Sequence, residues 1–124
     1  MTQEARRYVE GDLTLEISQG PSELRVVWRG KSAAREPGRF LSPVLAELLE
    51  QARGSRARLV HDFSALEYMN SSTFTPVVKA LGEARRAGVA VVLEYSLSRK
   101  WQDLSFGALR TFETPDGRVS IHGR

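Results

Sequence analysis

The chain has 124 residues, 41% hydrophobic and 27% charged, with no cysteine and a formal net charge of +3. Such a composition excludes a disulfide framework, a Cys-based metal site and a disordered or fibrous chain, and it suits a single hydrophobic core. The basic excess is small, acids lie near most of its arginine pairs, and no run approaches the roughly 18 apolar residues of a membrane span, so neither a nucleic-acid surface nor a membrane anchor is expected.

The N-terminal MTQEARRYVEGD carries charge but no apolar leader segment, which together with the lack of cysteine fits a cytoplasmic protein. Tyr8-Val9, the turn pair Gly11-Asp12 and the alternating LTLEI at 13–17 predict two paired strands. QGPSE at 19–23 supplies turn chemistry before LRVVW at 24–28, whose β-branched and aromatic residues favour a third strand. The polar RGKSAAREPG at 29–38 has no apolar stripe and reads as a surface connection. In FLSPVLAELLEQARG a helix is expected, with Ser42 as cap, Pro43 in the first position and Gly54 past the end. Val44, Leu45, Leu48, Leu49 and Ala52 form its apolar stripe.

Residues 58–63 predict a central strand with Leu59, Val60 and Phe63 buried. Phe74, Val77, Val78, Leu81 and Ala84 are spaced for a second helix, which Gly88 ends after Arg85 and Arg86. VAVVLEY at 89–95 is a near-continuous β-branched run, as in a parallel strand covered on both faces. Ser98 is placed to cap a short last helix with Trp101, Leu104 and Ala108 or Leu109 on one side and Phe112 packed beneath it. TPDGR then turns the chain into VSIH, a closing edge strand. Strands alternating with helices in this order indicate α/β layering.

LVHDFSALEYMNSSTF at 59–74, EARRAGVAVVLEYSLSRKWQDL at 83–104 and the helix at 42–53 together resemble the STAS domain, the fold of bacterial anti-sigma-factor antagonists and of sulfate-transporter cytoplasmic domains. The resemblance spans about residues 24–113, with 1–23 as an N-terminal strand extension and 114–124 as a C-terminal turn and edge strand. It implies a single-domain α/β fold, a mixed sheet with helices packed on it. The implied function is non-enzymatic: a regulatory module that binds a protein partner, such as a serine protein kinase or anti-sigma factor, and that a phosphatase resets. Ser71 matches the serine phosphorylated in the antagonists, with Ser72 beside it. Asn70 stands at the family's usual aspartate, Thr73 at a common glycine and Phe74 at a common leucine. With Thr73 and Pro76 in these positions the regular helix is expected to begin near Thr75-Pro76, Thr75 capping it.

The candidate partner surface is therefore Asn70, Ser71, Ser72, Thr73 and Phe74, with Asp62 at the preceding strand end and Lys100 and Trp101 beside the loop. The alternative is a scaffold with the same fold that is never phosphorylated and pairs with itself through a strand edge or the last helix. A lone strand histidine, His61, reads as a hydrogen-bonded structural residue, and with His122 far away it makes no metal motif. His61 and Asp62 point to opposite faces of a strand and there is no G-x-S-x-G elbow, so no catalytic triad is expected. Glycine-rich nucleotide loops are missing too, which leaves no catalytic residue and no cofactor in the reading.

Overall fold

A computed structural model of the chain describes residues 5–124; the first four residues of the N-terminal stretch lie outside the described part. In chain order the elements are β1 (Ala5–Glu10), β2 (Leu13–Gln19), β3 (Glu23–Ser32), α1 (Gly38–Ser55), β4 (Arg58–Asp62), β5 (Leu66–Met69), α2 (Ser71–Ala87), β6 (Val91–Tyr95), α3 (Lys100–Leu109) and β7 (Val119–Gly123). The strands form one mixed sheet in the order β1-β2-β3-β4-β6-β7, with β5 paired to the far half of β3. β1, β2 and β3 run antiparallel, while β4, β5, β6 and β7 extend the sheet in parallel. The expected single-domain α/β layering with a mixed sheet is thus observed, and β4 is central as read from its apolar run.

Side-chain alternation decides which face the helices cover. Leu15, Trp28 and Leu24, Val26 lie on the same face as Leu59, His61, Leu93 and Ile121, because register pairs these positions across β2 to β7. All are buried, and the apolar ones belong to one core with Leu41, Leu45, Leu48, Val77, Leu81 and Phe106 from the three helices. Burying a large apolar side chain contributes about 1.5–3 kcal/mol, which makes this face the main source of stability. Among the described residues no helix lies on the opposite face. There Val60 and Val92 are nonetheless 1% and 8% exposed, roofed by charged side chains: Arg25 pairs with Glu23, Asp62 and Glu94, and Arg124 with Asp62 and Glu94. So β6 is covered on both sides as its composition suggests, but ion pairs and not a second helix layer cover one of them.

Several boundaries differ from the sequence reading, each for a local reason. β3 runs on to Ser32, so residues 29–32 are strand and not surface connection. Gly30 makes this extension fit: its φ is +84, and a Cβ there would fall 1.9 Å from the Asp12 carbonyl oxygen. The register shift between Gly30 and Lys31 then admits β5, a strand missing from the sequence reading. α1 starts at Gly38, a turn before Pro43, because Leu41 at 0% exposed draws that turn into the core. Pro43 sits inside the helix and Ser42 is not its cap. At the other end Gly54 remains helical, and Arg56 takes the left-handed cap at φ 54. The cap of α3 is Arg99, with no side-chain hydrogen bond, so Ser98 is not its cap. α3 turns Gln102, Phe106 and Leu109 to the core with Trp101 half-buried beside them, so Trp101 and Leu109 lie as expected, whereas Leu104 at 71% and Phe112 at 44% exposed face outward, against the expected stripe.

Candidate functional site

The corner between β5 and α2 is built by one asparagine. Asn70 leaves the sheet in extended backbone geometry (φ −74, ψ 163), and its own N–H donates to the Ser32 carbonyl at 2.9 Å. Its Oδ1 accepts from the Thr73 N–H at 3.1 Å and from Thr73 Oγ1 at 2.6 Å, the N-cap arrangement that satisfies an orphan donor of the first turn. Its Nδ2 donates to the Ala34 carbonyl at 2.9 Å, tying down the segment between β3 and α1. Because Thr73 has spent its single hydroxyl proton on Asn70, the 2.8 Å contact between Ser32 and Thr73 is made by the Ser32 hydroxyl donating. Asn70 thus sets the start of α2 at Ser71, and Pro76 falls inside the helix. The expected start near Thr75-Pro76 is corrected by this cap: a side-chain acceptor at Asn70 fixes the turn that the sequence reading leaves irregular.

The sequence-predicted residues separate into groups. Ser71 and Ser72 are exposed in the first turn, which contains no acidic residue. Thr73 is 0% exposed and lies beneath the corner, supporting it from inside. Phe74 is half-buried, its ring centroid 5.9 Å from Phe106. Trp101 stands 6.2 Å from the same Phe106 ring, so α3 is joined to the corner through that shared phenylalanine. Lys100 is exposed at the first position of α3.

Asp62 belongs elsewhere. Its Oδ1 accepts from the Ser64 N–H at 2.9 Å and the Ser64 hydroxyl at 2.6 Å, and its Oδ2 faces Arg25 and Arg124 on the open side of the sheet. Asp62 therefore accepts hydrogen bonds at the strand end, and its partners are Ser64, Arg25 and Arg124, not the 70–73 loop.

Two supporting residues have a structural role that the sequence reading does not give them. Ser32 is buried under the corner, in a stretch whose polarity suggests only a loop. Gln102, 0% exposed, donates to the carbonyls of Phe63 at 2.7 Å and Leu66 at 2.9 Å and accepts from the Ser96 N–H at 2.7 Å, fastening α3 to the turn that precedes β5. A single amide amid polar helix residues carries no pattern that would single it out. His61, read as structural, is buried at 5% exposed and its Nδ1 accepts from Trp28 Nε1–H at 3.1 Å. Burial lowers its pKa from 6.5 to about 4, so the ring is neutral near pH 7.

Chemically, the corner offers two solvent-facing hydroxyls over the unpaired N–H groups and positive dipole end of a 17-residue helix. Among the described residues no group of three or more His, Cys, Asp or Glu side chains is arranged to hold a metal ion, and no helix is long and apolar enough to cross a membrane. No family model matches the chain, and no curated protein matches it significantly. In three dimensions it is similar to the crystal structure of apo-SiaC from Pseudomonas aeruginosa, with 17% sequence identity, a TM-score of 0.62 and 98% of each chain covered. The likeness extends over essentially the whole of both chains and, with the observed sheet order, gives this protein a STAS-like fold.

Proposed function

We propose that this chain is a non-enzymatic regulatory module that docks a protein partner at the Asn70–Phe74 corner, and that a phosphoryl group on Ser71, or secondarily Ser72, switches the docking. One observation carries the reading: two exposed serines sit on a corner held rigid from below by Asn70, Thr73 and Ser32. A phosphoryl group there adds about −1.5 to −2 charges. It meets backbone donors and the helix dipole and thus costs the module itself little. The partner feels the full change. A surface complementary to neutral hydroxyls is repelled by a dianion, so the switch acts on association and leaves the fold intact. Lys31 and Arg35 are exposed on the neighbouring segment, which Asn70 tethers through Ala34, and they add positive charge on that side. The partners that suit this chemistry are a serine protein kinase of the anti-sigma-factor type and an opposing phosphatase.

The test is phosphosite mapping of the protein from cells under several stresses, combined with partner capture by wild type, Ser71→Ala and Ser71→Asp. Phosphate on Ser71 or Ser72, and a partner held by Ser71→Ala but released by Ser71→Asp, are the expected results. Identical partners in both variants with neither serine modified would end the switch reading.

A second reading has its own observation. Leu104 and Phe112 leave apolar surface on the outside of α3 and the turn that follows it, which suits a scaffold that pairs with itself and is never phosphorylated. Light scattering over a concentration series separates the two: self-association abolished by Leu104→Glu favours the scaffold, whereas a monomer at all concentrations removes it.

A further inference from the structure

The sheet ends in two unlike edges. β7 has its outer side closed: the Val119 N–H donates to Thr114 Oγ1 at 3.0 Å, the Ile121 N–H donates to the Glu113 carboxylate at 2.9 Å, and the Val119 carbonyl accepts from the Thr114 N–H at 3.1 Å. β1, at the other end, pairs with β2 alone among the described residues, and its register runs from Ala5 to Glu10 without a bulge. So regular an edge is a template for another strand unless something blocks it.

Hairpin geometry fixes which groups of β1 face outward. Glu10 and Leu13 close the two-residue turn Gly11-Asp12, so they form a hydrogen-bonded pair, as do Tyr8 with Leu15 and Arg6 with Ile17. Arg7 and Val9 between them therefore turn their N–H and C=O groups away from β2. The Val9 side chain is 58% exposed on the open side of the sheet. Arg6, Tyr8 and Glu10 share the helix-covered face, with the Arg6 guanidinium 5.8 Å from the centre of the Tyr8 ring. Symmetry then selects one register for two such edges meeting antiparallel about a twofold axis, in which outward groups must face outward groups. Within residues 6–10, an axis at Arg6, Arg7 or Glu10 sets like charges directly opposite each other, and one at Val9 runs Arg7 against the turn residue Gly11. An axis at Tyr8 has neither fault. It places Arg6 opposite the partner's Glu10 and Glu10 opposite the partner's Arg6, pairs Tyr8 with the partner's Tyr8 at the close non-hydrogen-bonded position, and lets Arg7 and the partner's Val9 exchange both backbone hydrogen bonds.

We infer that the β1 edge pairs antiparallel with the β1 edge of a second copy of this chain, about an axis at Tyr8, so that one sheet runs through both copies. The pairing satisfies the outward backbone groups, and the stem of Arg7 covers the partner's exposed Val9. It uses neither the Leu104 surface of α3 nor a phosphoryl group on Ser71, so it stands or falls separately from both readings above.

The experiment is sedimentation equilibrium of the full chain over a concentration series, with charge-swapped variants. The wild type is expected to dimerise. Glu10→Arg and Arg6→Glu alone should each weaken the dimer roughly tenfold, because both cross-strand attractions become repulsions. An equimolar mixture of the two variants should restore it, since the two altered edges are then opposite in charge at both positions. Leu104→Glu should change nothing. A wild type that stays monomeric at millimolar concentration would overturn the proposal, as would self-association lost in Leu104→Glu and kept in both β1 variants. A mixture no more associated than its components would overturn the register. Arg6→Glu also sets a carboxylate near Glu47, so Val9→Pro serves as a second variant: it removes an outward N–H and no bond to β2, and edge strands accept proline there. A Val9→Pro chain that dimerises like the wild type would overturn the edge pairing even if Arg6→Glu does not fold.

Discussion

Along β4, Leu59 and His61 point beneath the helices while Val60 and Asp62 point to the open side, and the two sets of neighbours could hardly differ more. Under the helices, Trp28, Phe63, Phe106 and Tyr95 form a continuous aromatic cluster with ring centroids 4.6–5.7 Å apart. Its polar contact is the Trp28–His61 hydrogen bond. On the open side the valines are shielded by the stems of Arg25 and its ion-paired partners, whose charged ends remain partly in water. The comparison teaches that complete burial of a strand does not require a second layer of secondary structure. It also separates two energies: area removed from water on one face, and long side chains held in place by charge on the other. If that division is right, substitutions on the covered face should cost far more than those on the open face.

The largest effect is expected from Phe63→Ala. Phe63 is 1% exposed and touches both Trp28 and Phe106, so removing it should cost about 3–5 kcal/mol in denaturant unfolding. A loss under about 1 kcal/mol would break the comparison at its stronger side. Next comes His61, through pH. Its folded pKa, about 4, lies below the ordinary 6.5 because burial disfavours the charged ring, so the unfolded chain takes up a proton in that interval and the native one does not. Stability is therefore full above pH 6.5 and falls as the pH drops toward 4, by about 3 kcal/mol in total. Glu23, Glu50, Glu113 and Asp116 have lowered pKa values and add their own acid sensitivity only below the ordinary carboxylate range. Unfolding free energies between pH 7 and 4.5 should slope in wild type and flatten in His61→Gln.

The helix-covered half of this architecture is legible in the chain because apolar spacing alone encodes it. Val44, Leu45 and Leu48 on α1, and Val77, Leu81 and Ala84 on α2, are buried where their periodicity puts them. Helix starts are less legible: Pro43 and Pro76 both suggest a first turn, and in each case the helix begins five residues earlier because a buried Leu41 or an Asn70 cap overrides the proline preference. β5 is invisible for a different reason. Its burial runs in–out–out–in from Leu66 to Met69, so period-two alternation is absent, and its pairing depends on the register shift at Gly30. The exposed serines of the corner stand out by composition, but the Ser32 and Thr73 hydroxyls that support them do not, since a satisfied buried hydroxyl looks the same in sequence as a solvated one. α3 is misread in part because Leu104 outweighs Gln102 on any apolar scale, while the amide wins the interior by meeting three backbone groups.

The open face yields the two smaller tests. Val60→Ala removes two methyl groups from a site that is 1% exposed, and the loss should be about 1.5–2.5 kcal/mol. A silent substitution there would mean that the charged roof does not exclude water. The ion pairs themselves should contribute least. Arg25 is the hub, with Nη1 at 2.8 Å from Glu94 and Nε at 2.8 Å from Glu23, but its side chain and those of its partners retain contact with water, where pairing is worth roughly 0.5–1 kcal/mol. A double-mutant cycle on Arg25→Met and Glu94→Gln isolates that coupling from the packing of the arginine stem. The coupling should shrink further as salt is raised, since screening acts on the charged ends, whereas the cost of Val60→Ala should not. A coupling above about 2 kcal/mol that ignores salt would instead make the open face as tightly closed as the covered one, because only charges withdrawn from water interact so strongly.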